Sequence, residues 1–117
     1  MSKTYRGERY PDGQLCVDVI EEDGRRRPLD PRRDLFNHSL TGFECGYAGS
    51  GPAQLALAIL ADRLGDHRRA VALHQAFKEA VVATLPQTGF TLPEIEVRAW
   101  LLIESAADGG DESEETR

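Results

Sequence analysis

The central element of the fold is encoded by residues 50–66, which read SGPAQLALAILADRLGD. Apolar side chains surround this stretch on nearly every side of a helical wheel, which is typical of a helix that is buried all round. Ser50 suits the N-cap, Pro52 suits the first turn, where its missing N–H costs nothing, and Gly65 suits a helical stop. The sequence therefore predicts a buried central helix over residues 53–64.

Two further helices are predicted after this one. Asp66 follows the glycine directly and suits the N-cap of a second helix over residues 67–85, so the two helices should form a tight hairpin. Residues 91–94, TLPE, have the spacing of a capping box, which predicts a third helix that runs to about residue 107.

The third predicted helix has one apolar stripe that should pack on the core. The stripe comprises Ile95, Ala99, Leu102, Ile103 and Ala106. Trp100 and Leu101 lie outside it, so they either pack on the sheet or form a surface for a partner. We treat Trp100 as a candidate partner-binding residue.

The first third of the chain has the patterns of β-structure. Residues 3–9 are a short strand candidate, and residues 14–22 alternate apolar and polar side chains with a period of two. An Asp-Gly pair then signals a hairpin, and residues 25–27 suit a short return strand. The sequence therefore predicts an α+β fold, in which an N-terminal three-stranded antiparallel meander and a packed loop over residues 28–50 precede three helices, including a tight helical hairpin.

The net charge of −6 is unevenly distributed. Residues 108–117 hold five acids and one arginine, a charge of −4, which leaves −2 on the rest of the chain. This acidic segment has no aliphatic or aromatic side chain whose burial could offset the entropy of ordering it. We therefore expect a single domain over residues 1–107 and a disordered acidic tail over residues 108–117. The overall charge excludes a uniformly basic protein that coats duplex DNA.

The sequence has no sign of a membrane segment, a cofactor or a metal site. No apolar run approaches the ~18 residues of a membrane span, and the start, MSKTYR, has no apolar leader, so we expect a cytoplasmic protein that does not contact membranes. His67 and His74 lie two turns apart on the second helix without a third ligand, and we expect both to face solvent. Cys16 and Cys45 form no CxxC pair, and we expect two reduced, partly buried thiols.

Residues 25–33, RRRPLDPRR, concentrate five arginines and one aspartate. Arginine suits bidentate contact with carboxylate or phosphate, and two prolines stiffen the segment. One interpretation is therefore a contact strip for an acidic protein face or for nucleic acid. The other is that flanking acids neutralise the strip, because residues 1–34 carry eight charges of each sign. The candidate contact residues are Arg25, Arg26, Arg27, Arg32 and Arg33.

A glycine-rich segment, residues 46–52, GYAGSGP, lies directly before the central helix. Its backbone N–H groups could converge on an anion that the helix dipole also favours. The candidate anion-binding residues are Gly46, Gly49, Ser50 and Gly51. The segment lacks the lysine of a GxxxxGK[ST] motif, and close packing of the loop would use the same glycines. A phosphate or nucleotide ligand, or a small enzyme built on this loop, is therefore an alternative.

Polar side chains and one thiol also cluster earlier in the loop. A Cys–His nucleophile pair needs thiol and imidazole within hydrogen-bond reach and a third group that orients them, which the spacing of His38 and Cys45 does not provide. In a long irregular loop, polar side chains more often bond backbone amides that lack ladder partners. We therefore assign no catalytic residue. The loop-organising candidates are Asn37, His38, Ser39 and Glu44.

Several of these segments resemble a family of small uncharacterised bacterial, archaeal and phage proteins that is known only as a domain of unknown function. The shared pattern runs Asn-His-Ser, Thr-Gly-Phe-Glu, Gly-Tyr, Gly-Ser-Gly-Pro-Ala-Gln and occupies residues 37–54 here, and residues 4–8 and 11–13 fit it as well. The resemblance covers roughly residues 3–85. The family usually has Trp at the position of Cys45, which counts against this thiol as a nucleophile, and the arginine strip is not part of the pattern.

The resemblance supplies no activity, but it implies a mobile-element setting and interference with host machinery. With the small size and the absence of a catalytic constellation, it leads us to expect a non-enzymatic binding module. Such a module, encoded by a phage or other mobile element, would occupy a surface of a host protein or complex, for example as an inhibitor of a defence system. A phosphate-ligand binder and a nucleic-acid contact through the arginines are the alternatives, and the oligomeric state is left open.

Overall fold

The predicted α+β class is confirmed by the computed structural model, which describes residues 2–39 and 41–113, with side chains to residue 105. Its elements are β1 (Thr4–Arg9), β2 (Leu15–Ile20), β3 (Arg26–Pro28), α1 (Ser50–Leu64), α2 (His67–Ala80), a short 3-10 helix (Val82–Thr84), β4 (Gly89–Pro93) and α3 (Glu94–Ser113). The strands form one antiparallel sheet in the order β3-β2-β1-β4. β1, β2 and β3 are the predicted meander.

The sheet buries one face, as the period-two pattern of β2 predicts. Leu15, Val17 and Val19 are buried beneath the helices, whereas Cys16 and Asp18 point to the other face and are partly exposed. Leu92 of β4 lies opposite Tyr5 of β1 and extends the same buried face. The core therefore lies between this face and the helices.

The prediction that residues 91–94 begin the third helix is wrong, because residues 89–93 form β4. Phe90 and Leu92 alternate with Gly89 and Thr91, so a period of two puts both apolar side chains on the core. Pairing with β1 gives this segment a hydrogen-bond ladder that a capping box cannot match. Pro93 is the last residue of β4, which is an edge strand and so tolerates a proline, and α3 begins directly after it.

α1 is the buried central helix that the sequence predicts, and every residue from Gly51 to Ala61 is buried. Its start differs from the prediction, because Ser50 is the first helical residue and Gly49 is the N-cap, with no side-chain capping bond. Gly65 ends the helix in the left-handed region at φ 69°, as predicted, and its N–H donates to the Ala61 carbonyl.

A single carboxylate on α1 ties the helix to the sheet. Asp62 accepts hydrogen bonds from Lys3 Nζ at 3.0 Å and from the Tyr5 hydroxyl at 2.9 Å, both at the start of the chain. It also accepts from Arg27 of β3 at 2.8 Å. Burial, and then the nearby Asp62 charge, raise the pKa of Tyr5, so this hydroxyl stays protonated and donates. These contacts fix α1 to the start of the chain and to β3.

The second helix begins as predicted and ends early. The Asp66 carboxylate accepts the Arg69 N–H at 3.2 Å, which confirms this N-cap. α2 ends at Ala80 rather than residue 85, and residues 82–84 form the 3-10 helix. Val81 has φ −122° and ψ −59°, outside helical geometry, and adjacent β-branched valines disfavour continuation of the helix. Val82 is instead buried in the core.

α3 packs through the opposite face to the one that the sequence predicts. Val97 and Leu101 are buried, and Trp100 is half-buried with its ring at an edge-on angle of 65° to Phe77. The predicted core stripe faces outward: Ile95, Leu102 and Ile103 are 63%, 60% and 68% exposed, and Ala99 is exposed too. The side chain of Ala106 lies outside the described part.

The rotation of α3 is set where the helix begins. The Glu94 N–H donates to the Lys3 carbonyl at 2.8 Å, and the Glu94 carboxylate accepts the Lys3 N–H at 3.1 Å and lies 2.9 Å from Arg63 Nε. Glu94 therefore faces inward. Val97 and Leu101 follow three and seven residues later on the same face, so the stripe that contains Ile95 is turned away.

α3 continues to Ser113, beyond the end predicted near residue 107. The acidic tail predicted over residues 108–117 therefore begins within α3, residues 114–117 lie outside the described part, and the disorder of this tail stays a prediction. Across residues 2–39 and 41–113, no helix combines the length and the apolar character needed to cross a membrane.

Substitution of Gly7 tests the packing of β1 on β4. A Cβ placed on Gly7 would lie 2.2 Å from the ring of Phe90, its cross-strand partner. We expect Gly7→Ala to lower the free energy of unfolding by about 1–3 kcal/mol, measured by urea denaturation, because the ring has to move. In a Phe90→Ala background, Gly7→Ala should lower the free energy of unfolding much less. An equal loss of unfolding free energy in the two backgrounds would contradict this packing.

Candidate functional site

One buried side chain holds the loop that carries most of the predicted site residues. Gln54 of α1 is 0% exposed. Its side-chain oxygen accepts the backbone N–H groups of His38 at 2.7 Å and Ser39 at 3.2 Å. Its amide nitrogen donates to the carbonyls of Pro31 at 2.6 Å and Phe36 at 3.0 Å. Both lone pairs and both hydrogens are used, so this one amide fixes the loop on the central helix.

The same loop places His38 against α2. His38 Nε2 lies 2.8 Å from His74 Nε2, and His74 Nδ1 lies 2.6 Å from the Val71 carbonyl oxygen. A carbonyl only accepts, so His74 donates from Nδ1, which leaves its Nε2 to share one hydrogen with Nε2 of His38. The His38 ring also stacks on Phe36, with 4.2 Å between ring centroids.

Burial, followed by electrostatic interaction with His74 and with Lys78, lowers the pKa of His38. The expectation that His67 and His74 both face solvent is wrong for His74, which is 3% exposed. His67 is exposed, as expected, and its Nε2 lies 3.3 Å from Arg32 Nη2.

Glu44 connects the loop to the rest of the N-terminal region. Its two carboxylate oxygens accept from Nη1 and Nη2 of Arg9, each at 2.8 Å, which is a bidentate pair. Arg9 also donates to the carbonyls of Gly13 and Gln87, each at 2.9 Å. The hydrogen bonds from Arg9 lower the pKa of Glu44, so the pair stays charged near neutral pH. Glu44 thus pairs with an arginine side chain of β1, and its role in organising the loop stays a prediction.

The other loop-organising candidates differ in their surroundings. The Ser39 hydroxyl donates to the Gly42 carbonyl at 2.9 Å and stabilises the turn that follows. Asn37 is exposed. Asn37, His38 and Ser39 therefore follow one another in sequence but contact different surroundings, which their spacing alone does not reveal.

Three loop glycines make room for neighbouring side chains. A Cβ on Gly51 would lie 2.7 Å from Glu44 Cβ, and a Cβ on Gly49 would lie 2.7 Å from the Tyr47 ring. Gly46 has φ 86°, and its N–H donates to the Val82 carbonyl at 3.1 Å. These contacts favour the close-packing interpretation of the glycines, and anion binding at Gly46, Gly49, Ser50 and Gly51 stays a prediction.

The arginine strip is engaged with the chain's own acids. Arg33 Nε donates to the Ser39 carbonyl at 2.9 Å. The ion pairs of the other strip arginines are Arg25–Asp23, Arg26–Asp18, Arg27–Glu21, Arg27–Asp62 and Arg32–Asp34, at 2.8–3.2 Å. A partner or nucleic acid would have to compete with these carboxylates. The geometry therefore favours neutralisation within the chain, and contact through the strip stays a prediction.

The Cys45 thiol is held within the fold, and the described residues contain no metal-binding cluster. Cys45 is buried, and its Sγ donates to the Pro86 carbonyl at 3.3 Å. Burial raises the pKa of this thiol, so it remains protonated. Among residues 2–39 and the described side chains of 41–105, no group of three or more His, Cys, Asp and Glu could hold a metal ion.

The most distinctive surface is the outer face of α3, which we define as Ile95, Ala99, Leu102 and Ile103. Its three large side chains remain more than half exposed, and they lie on one side of one helix rather than scattered over the molecule. A groove of about 410 Å³ adjoins it, lined by Ser2, Arg63, Glu94, Ile95 and Arg98. Trp100, the predicted partner-binding residue, lies on the other side of the helix against Phe77.

Two features of the structure could have been predicted from the sequence but were missed. Gln54 is a polar residue within an otherwise apolar helical run, and a buried amide must find partners, so its role in the loop could have been inferred. The second apolar stripe of α3, which comprises Val97, Trp100 and Leu101, could also have been identified from the sequence. The contact of His38 with His74 had no such signal, because it depends on the path of the loop.

Replacement of Gln54 tests its role in the loop. Gln54→Leu keeps a side chain of similar volume but removes the partner of two N–H groups and two carbonyls. Each of these groups that stays unsatisfied lowers the free energy of unfolding by about 1–3 kcal/mol. Allowing for relaxation of the loop, we expect a loss of about 3 kcal/mol in urea denaturation followed by Trp100 fluorescence. Gln75→Leu, at an exposed position on α2, is the matched control. Equal stability of the two variants would refute the role.

The His38–His74 contact predicts a pH-dependent contribution to stability. The pKa of His38 is lower in the folded state than its ordinary value near 6.5, so its stabilisation is present above about pH 6.5 and is lost as the pH falls. The wild type should therefore exceed His38→Leu in unfolding free energy by more at pH 7.5 than at pH 5.0. A difference for His38→Leu that stays constant between the two pH values would contradict the contact.

Comparison with known proteins gives one match. Residues 5–103 match the family of unknown function DUF6166, and the matched range includes the meander, the loop, α1, α2, β4 and the first part of α3. No curated protein and no solved structure matches the chain. The outer face of α3 lies within the matched range. Since the match covers most of the sequence, the chain belongs to the DUF6166 family of unknown function.

Proposed function

We propose that this protein is a non-enzymatic binding module that docks on another protein through the outer face of α3. The observation that carries the proposal is that α3 is apolar on two sides. Val97 and Leu101 are buried against the core, whereas Ile95, Leu102 and Ile103 leave most of their apolar surface in water. A contiguous exposed face of this kind is typical of a protein–protein contact.

The geometry of the loop also supports the proposal, because its polar groups bond within the fold. The groups with the strongest chemical character, His38, Glu44 and Cys45, each have a partner within the fold. Their hydrogen bonds hold the loop in place rather than present reactive atoms. We therefore assign them structural roles and place the function on α3.

We extend the proposal to the setting that the sequence resemblance implies. The partner would be a host protein or complex, and the chain would be the product of a phage or other mobile element that occupies a surface of a defence system and inhibits it. The small size of the domain and the apolar outer face of α3 suit an inhibitor that works by occlusion.

The outer face alone supplies limited binding energy. Full burial of an Ile or Leu side chain contributes about 1.5–3 kcal/mol, so completing the burial of three partly exposed ones contributes about 3–6 kcal/mol. Association costs at least about 4 kcal/mol in lost freedom. Stable binding therefore requires further contacts around the face.

Substitution within the outer face tests the proposal. The tagged protein would be used to capture partners from a host lysate, with quantitative mass spectrometry as the measurement. We expect Leu102→Glu to reduce recovery of any specific partner at least about tenfold, because a buried unpaired charge costs more than ~1.4 kcal/mol. Its stability should stay within about 0.5 kcal/mol of wild type, because Leu102 is exposed.

The matched control is Ala76→Glu, which adds the same charge to an exposed position of α2. It should leave partner recovery unchanged. If both variants recover the same proteins as the wild type, the outer face of α3 is not the docking surface.

A further inference from the structure

We infer that the partner segment that covers the outer face of α3 carries an Asp or Glu side chain, which enters the groove beside Ile95 and pairs with Arg98 and Arg63. The inference rests on the proposed function and adds the chemistry of the partner. Three observations carry it. The groove is continuous with the outer face, its charged side chains leave an excess of positive charge, and Arg98 has no ion pair within the part of the chain that the structure describes.

The groove opens directly onto the outer face of α3. Ile95 belongs to both, and Arg98 lies three residues further along the helix, about one turn away. Leu102 follows four residues after Arg98, so this arginine flanks the apolar side chains that the partner would cover. The groove has a volume of about 410 Å³, which is large enough to admit a side chain of the partner. A segment seated on the outer face therefore brings one of its flanking side chains to the groove.

The charge within the groove is positive. Its charged lining residues are Arg63, Glu94 and Arg98, which sum to +1. Arg63 Nε lies 2.9 Å from a Glu94 oxygen, but the two groups are too poorly aligned for a hydrogen bond. Glu94 also accepts the Lys3 N–H at 3.1 Å. Arg63 therefore still has donors to offer, and Arg98 is exposed beside it, so one further carboxylate would balance the groove.

The two flanks of the outer face carry opposite charges. Glu96 and Arg98 are about 200° apart around the helix axis, which places them on opposite sides of the face. Arg98 shares its flank with Arg63 and the groove, whereas Glu96 is exposed on the other flank. An acid of the partner is therefore attracted to the groove and repelled from the opposite flank. This difference fixes the side of the face on which the acid lies.

A carboxylate fits the groove better than a phosphate. Arginine can pair with either group through two parallel hydrogen bonds. A phosphate, however, carries close to two negative charges near neutral pH, and it would lie beside Glu94 in a groove whose charged residues sum to +1. A Lys or Arg side chain would be repelled by the same positive charge. The partner segment is therefore apolar, with one acid within about one turn of its apolar side chains.

The test uses synthetic peptides that share a helical row of leucines, matched to the spacing of Ile95, Ala99 and Leu102, and that are otherwise neutral. They are about 18 residues long, or about five helical turns, and they differ at one position beside the central leucine, which is Glu, Gln or Lys. Fluorescence anisotropy with the full-length protein should show about fivefold tighter binding of the Glu peptide than of the Gln peptide, and the weakest binding for the Lys peptide. The preference for Glu should shrink between about 50 and 300 mM NaCl, because salt screens a partly exposed pair.

Replacement of Arg98 assigns the preference to the groove. Arg98→Gln should make the Glu and Gln peptides bind equally, and Arg98→Glu should make the Lys peptide bind best. The matched control is Arg68→Glu, which makes the same change at an exposed arginine of α2 that does not line the groove. It should leave the order of the three peptides unchanged. Arg63 is kept in every variant, because it contacts Glu94 at the point where α3 is anchored.

Three results would overturn the inference. The first is a preference for the Glu peptide that survives Arg98→Gln. The second is an equal change of preference in Arg98→Glu and Arg68→Glu, which would indicate general attraction rather than a contact in the groove. The third is equal binding of the three peptides to the wild type. The midpoint of urea unfolding should be the same for the wild type and all these variants, since both arginines are exposed.

The remaining outcomes distinguish this inference from the proposed function. If the three peptides bind equally and Leu102→Glu abolishes all binding, the docking face stands and the acidic anchor is wrong. The acidic anchor is equally wrong if no peptide binds while lysate capture still depends on Leu102. A wild-type dimer in sedimentation that Leu102→Glu dissociates would identify a second copy as the occupant and overturn both. If neither the peptides nor lysate capture depends on Leu102, the proposed function fails as well.

Discussion

Four hydrogen bonds to the buried amide of Gln54 are the constraint on which the loop and its contacts depend. An amide in the middle of an apolar helix is tolerated only when all its donors and acceptors are used, because each unused one costs free energy. The loop supplies the missing partners from its backbone. Its path across α1 therefore follows from the needs of one side chain, and the contact of His38 with His74 follows from that path.

A second constraint acts at the other end of the core, where Glu94 bonds to Lys3 and lies beside Arg63. This anchor selects which of two apolar stripes α3 turns inward. The selection leaves Ile95, Leu102 and Ile103 in water. The surface proposed to bind a partner is thus a consequence of how the helix is attached to Lys3, and a change at Glu94 would alter the orientation of this surface without changing its residues.

The sequence was sufficient for the elements whose signals are local. The meander, the buried α1, the N-cap at Asp66 and the stop at Gly65 follow from periodicity and capping residues next to each other in the chain. β4 was missed because TLPE fits a capping box locally, whereas the pairing of Leu92 with Tyr5 is visible only in three dimensions. The face of α3 was missed because both stripes are apolar, and the choice between them is made by Lys3 and Arg63. The partners of the strip arginines could not be predicted from the sequence either, because Asp62 and Arg27 come together only in the folded chain.

The strand order β3-β2-β1-β4 also governs when the domain can form during synthesis. β1 is an interior strand, yet one of its neighbours, β4, lies some 85 residues later in the chain, so the sheet stays open along β1 until residues 89–93 have left the ribosome. Contacts this distant in sequence close slowly. An incomplete chain exposes the unpaired edge of β1 together with the apolar surface of α1, which are the features that chaperones bind and that promote aggregation. The segment that completes the sheet leads directly into α3, so this helix is positioned only when the rest of the domain is ready to fold.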